Sequence, residues 1–76
     1  MRELIEFTTS SGVFYIAEHE GRFHPVFQEE RLGSYATLAQ AVEDLAGGHT
    51  FTPSNGVDTS SLGIPEDPGA WDRVAR

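Results

Sequence analysis

The sequence predicts an α+β domain, a three- or four-stranded antiparallel sheet with one helix on one face and an irregular C-terminal segment wrapping the sheet and ending in a short helix. Three observations carry this reading. Residues 34–48, SYATLAQAVEDLAGG, place Leu38, Ala41, Val42, Leu45 and Ala46 on one stripe of a 3.6-residue period. Before them come stretches dense in β-branched and aromatic residues, separated by short polar turns. After Gly47, serine, glycine and proline become concentrated. Residues 1–48 are thus read as sheet plus helix, and residues 49–76 as an irregular segment of the same domain.

Residues 2–8, RELIEFT, alternate as a strand, with Ile5 and Phe7 on one face and Leu4 on the other. Ser10, Ser11 and Gly12 mark a turn. Residues 13–18, VFYIAE, are apolar on both faces and read as the central strand. The next strand is RFHPVFQ, residues 22–28.

The register between these two strands decides what lies on each face, because a slip of one residue exchanges the faces. A loop of His19, Glu20 and Gly21 sets Glu18 opposite Arg22 and separates the polar residues cleanly. One face then carries Val13, Tyr15, Ala17, Phe23, Pro25 and Phe27; the other carries Phe14, Ile16, Glu18, Arg22, His24 and Val26. A shorter loop of Glu20 and Gly21 alone requires Glu20 to take a positive φ, an unfavourable choice for that side chain. The longer loop is therefore expected. Pro25 cannot donate to a ladder and implies an edge or a bulge. Glu29, Glu30 and Arg31 form a second polar turn, with a short strand over residues 32–35.

The helix begins at a capping box, Thr37 with Gln40, and Gly47 is placed to take the left-handed position that ends it after Ala46. At about nine residues it falls short of the roughly 12 to 15 needed for a free helix in water, so it must dock. One helix shelters one face, and under the expected register Phe14, Ile16 and Val26 remain on the other. The cover for that face is either the C-terminal segment or a second copy of the chain. Beyond His49 the segment carries Phe51, Val57, Leu62, Ile64, Trp71 and Val74, too many apolar side chains for a disordered tail. Asp67 and Pro68 suit the cap and first residue of a final helix bearing Trp71 and Val74.

Composition narrows the function classes. Twelve acidic against five basic side chains give a net charge of -7, which opposes direct binding to nucleic acid. With no cysteine there is no disulfide framework and no thiolate zinc site, in keeping with a reducing cytoplasm. No run approaches the ~18 apolar residues of a membrane span, and MRELIEF lacks the charge order of a signal peptide. All five cations are arginine, a bias expected of GC-rich bacterial coding.

His19, His24 and His49 match no zinc spacing, so no metal or other cofactor is expected. Asp58, Thr59, Ser60 and Ser61 lie in a loop without the strand-to-helix elbow that exposes a nucleophilic serine. Gly33, Gly47 and Gly48 lack the order of a phosphate loop. No enzyme is expected; a hydrolytic or metal-dependent activity centred on His24 and His49 is the outlying alternative. The expected function is a small acidic protein–protein interaction module, with a homodimer as one form of it. Its contact residues are Phe14, Ile16, His24, Val26 and Trp71, aromatic and aliphatic groups of the kind that anchor interfaces.

The rival reading is charge mimicry of a polyanion by Glu18, Glu20, Glu29 and Glu30 against a nucleic-acid-binding protein. In size and charge the chain is similar to small acidic inhibitors, of phage or mobile-element type, that occupy the nucleic-acid groove of a nuclease or CRISPR effector. The strand, strand, strand, helix order also resembles the arm-binding domains of integrases. Those require a basic sheet face, whereas Arg22 and Arg31 here stand among Glu18, Glu20, Glu29 and Glu30, so only the architecture carries over.

Overall fold

A computed structural model describes residues 2–74. The strands are β1 (Arg2–Thr9), β2 (Gly12–His19), β3 (Arg22–Phe27), β4 (Glu30–Arg31) and β5 (Asp72–Arg73), with one helix, α1 (Leu38–Gly47), between β4 and β5. They form a single antiparallel sheet in the order β4-β3-β2-β1-β5. The expected α+β class therefore holds, with β5 as an added edge strand.

The hairpin register differs from expectation. His19 pairs with Arg22, leaving Glu20 and Gly21 as a two-residue loop with φ of 53° and 78°. Both values are positive, as a type I′ turn demands, and the twist of that turn matches the twist of the strands. The faces expected for β3 are consequently exchanged relative to β2. Phe14 now stands opposite Phe27 and Ile16 opposite Pro25. The Phe14 and Phe27 rings stack with centroids 4.3 Å apart. This pairing buries Phe14, Ile16, Pro25 and Phe27 under the helix, which outweighs the turn strain: each large side chain is worth about 1.5–3 kcal/mol, against ~1–2 for one left-handed residue.

The next turn is likewise shorter than expected. Gln28 and Glu29 form it alone, both at positive φ, and Glu30 and Arg31 begin the strand rather than finish the turn. β3 lies inside the sheet, so the missing N–H of Pro25 needs a substitute. Leu32 donates to the Pro25 carbonyl at 2.8 Å, while the Leu32 carbonyl accepts from Phe51 at 2.9 Å, a donor supplied by the C-terminal segment. One extra residue then separates this pairing from the Phe23–Tyr35 bridge, a bulge at Gly33 and Ser34. Arg22 ties the bulge down by donating to Ser34 Oγ and Ser34 O. A Cβ on Gly33 would lie 2.7 Å from the Tyr35 ring, so any larger residue there must displace that ring.

In β1 the pairing shifts between Glu3 and Ile5, and the bulged Leu4 packs against the core instead of facing away from it. The helix starts as its sequence dictates, Thr37 Oγ1 accepting from the Gln40 N–H at 3.1 Å. It ends one residue later than expected, because Gly48, not Gly47, takes the left-handed position at φ 77°. Ala41, Val42 and Leu45 are buried against the sheet.

The C-terminal segment lies beside the helix, on the helix side of the sheet. Ile64 and Trp71 join the same core cluster as Phe14, Ile16 and Leu45, and Trp71 meets Phe7 with ring centroids 5.8 Å apart. The expected last helix is only a 3₁₀ turn, Pro68–Ala70, capped by Asp67 as expected. Trp71 and Val74 fall beyond it, the indole donating to the Pro65 carbonyl at 3.0 Å and Val74 N–H to Leu4 O at 3.1 Å.

Candidate interaction face

Because directly opposed residues share a face in an antiparallel pair, the register specifies the side of the sheet away from the helix. One rung across it reads Asp72, Glu6, Tyr15, Val26 and Arg31; the next reads Glu3, Ala17 and His24; Thr8 and Val13 form a third. Among the described residues no helix or strand packs over these rungs.

The face is amphipathic. Val13, Tyr15 and Val26 are half-buried in its surface, and Ala17 is buried between them. Glu3, Ala17, Val26 and Glu29 line a hollow of about 290 Å³. Its lining combines two aliphatic and two acidic residues. Glu29 reaches it from the left-handed turn at the tip of β3 and β4, where its φ is 65°.

His24 belongs to the edge of this face and has a structural task. Its Nδ1 lies 3.1 Å from the Gly33 carbonyl, which can only accept, so Nδ1 carries the proton and the ring closes the bulge. Only 7% of the residue is exposed.

Several expected contact residues lie elsewhere. Phe14 and Ile16 have no exposure, lying under the helix as a result of the shorter hairpin loop. Trp71 is buried by the C-terminal segment and forms part of the same core. Val26 does lie on the open face. Among the acidic candidates, Glu18 pairs with Arg2 at 2.9 Å, Glu20 occupies the exposed hairpin tip, and Glu30 accepts from both the N–H and the hydroxyl of Ser54, each at 2.7 Å. The two Ser54 hydrogen bonds hold the Glu30 carboxyl below the usual carboxylate range. Glu18 and Glu30 are thus engaged inside the molecule, and Glu29 is the one of the four that lines the hollow.

The sequence reading missed Glu3, Tyr15 and Ala17 as surface-forming residues. The signal that would have found them was the Glu20–Gly21 dipeptide read as a complete turn.

The remaining candidates stay separate. His24 sits in the bulge and His49 follows the helix C-cap; among the described residues no three His, Asp or Glu side chains are grouped to hold a metal ion. Asp58 caps its own 3₁₀ turn, accepting from Ser60 N–H and Ser60 Oγ, and those bonds lower its pKa. A second hollow, about 230 Å³, lies among Thr50, Phe51, Pro53 and Asp58, where Thr50 Oγ1 is buried without a protein partner. No described helix is long and apolar enough to cross a membrane. Comparison with protein-family models, with curated proteins and with solved structures finds no match.

Proposed function

We propose that this protein is a small, acidic, non-enzymatic protein–protein interaction module of the bacterial cytoplasm, and that it docks its partner on the sheet face away from the helix. The observation that carries this reading is the one-sidedness of the fold. The helix, the C-terminal segment and Trp71 all pack on one side. The other side presents Val13, Tyr15 and Val26 on a hydrogen-bonded antiparallel sheet, a surface of aromatic and branched side chains of the kind that anchors interfaces.

The test is site-specific photo-crosslinking in the source cytoplasm. A benzoylphenylalanine at position 26 should give discrete adducts that are absent when the same group replaces Glu43 on the outer helix surface. Equal adducts from both positions, or none from position 26, would refute the reading. Light scattering over a concentration series separates a homodimer from a heterologous partner.

The charge-mimic reading retains one supporting observation, the gathering of Glu3, Glu6, Glu29 and Asp72 around the same face. Under it the captured proteins are nucleic-acid-binding proteins, and raised salt releases them.

A further inference from the structure

Building on that reading, we propose that the hollow formed by Glu3, Ala17, Val26 and Glu29 receives an arginine or lysine side chain from an extended, basic segment of the partner protein. Val26, with Ala17 buried beside it, supplies aliphatic lining, and Glu3 and Glu29 supply the acidic lining. Arginine and lysine match that arrangement in one side chain, since their methylene stems lie along apolar surface while the charged head stays at the polar rim. A purely apolar side chain would cover the aliphatic lining but remove solvent from two carboxylates without replacing it, which is costly.

Charge complementarity selects this occupant over a second copy. The face carries four acidic residues, Glu3, Glu6, Glu29 and Asp72, against two basic ones, Arg31 and Arg22, and the hydrogen bonds of Arg22 to the neutral Ser34 leave its charge in place. Two such faces brought together, each on a chain of net charge -7, set like charges against one another. A cationic segment meets the opposite field and is steered toward it. Glu3 and Glu6 also interact within the molecule, so the selectivity is assigned chiefly to Glu29.

The experiment uses the full chain, labelled with ¹⁵N, and two short end-blocked peptides: one alternating arginine with valine, the other with citrulline in place of arginine. The arginine peptide should give saturable amide shifts at Tyr15, Ala17, Val26 and Glu29. Glu29→Arg should weaken its binding by about fivefold to tenfold, while Glu43→Arg, an equal change of net charge on the outer helix surface, should change it by less than about twofold. Glu29→Gln repeats the test without charge reversal, and the dispersion of each spectrum reports whether the variant is folded.

Equal binding of the citrulline peptide overturns the cationic-pocket assignment but leaves the open face as a docking surface. Shifts spread over Glu43 and Asp44 show undirected charge attraction and overturn it as well. Concentration-dependent shifts on this face without peptide would identify a second copy as the occupant, again overturning the proposal. Absence of peptide shifts together with persistent crosslinks from position 26 refutes the basic-segment partner alone, whereas loss of those crosslinks refutes the interaction module itself.

Discussion

Replacing Glu20 by Asn should stabilise the protein, and the size of the effect follows from the hairpin loop. Glu20 holds φ at 53° and Gly21 at 78°, so the first loop position bears a side chain in the left-handed region. That conformation costs an ordinary residue ~1–2 kcal/mol, and Asn avoids much of it. A gain of about 0.5–1 kcal/mol is expected, which for a domain of this size corresponds to a rise in Tm of roughly 3–6 °C. Glu20→Asn also removes a negative charge and the exposed His19 contact at 3.8 Å. Glu20→Gln removes both while leaving the turn strain, so it serves as the control. Thermal unfolding followed by circular dichroism should rank Asn above Gln, with Gln near the parent. If Gln stabilises as much as Asn, charge rather than backbone accounts for the gain; if Asn destabilises, the two-residue loop and the faces built on it are wrong.

Three further outcomes can be checked in the same way. Gly48→Ala should cost about 1–2 kcal/mol in urea unfolding, because the residue sits at φ 77° and an added Cβ would stand 3.0 Å from Ser60 Cβ. Glu30 has a folded pKa below its unfolded value, so its contribution is present above the ordinary carboxylate range and is lost as pH falls through the depressed folded value; faster exchange of the Ser54 amide over that interval, absent in Glu30→Gln, is the readout. Tyr35 runs the other way. Burial, then the neighbouring Asp44 carboxylate, raises its pKa above 10, so its contribution is full below pH 10 and is lost as pH rises through the folded value, a loss that Tyr35→Phe should abolish.

The helix was legible because its signals are local: the Thr37 cap, the apolar stripe from Leu38 to Ala46, and glycine at its end all lie within one short stretch. The strands were legible for the same reason. What the sequence hid was decided at long range. Leu32 O is satisfied by Phe51, and Trp71 crosses from the far end of the chain to lie on Phe7, contacts that no local pattern encodes. Local preference also argued for the wrong loop. Glu20 resists positive φ, and the longer loop separated charged from apolar residues more neatly. The fold accepts that strain because it places Phe14, Ile16, Pro25 and Phe27 together under one helix.

The same choice changes the functional argument without removing it. Under the longer loop the open face would have held Phe14 and Ile16, and a surface that greasy calls for burial, by the C-terminal segment or by a second copy of the chain. Under the observed register it holds Val13, Tyr15, Ala17 and Val26 among carboxylates, a surface that water tolerates and that a charged partner can still occupy. The proposed binding mode is therefore reversible capture of a basic segment rather than a homodimer, with affinity set by a few aliphatic and aromatic contacts and orientation by Glu29.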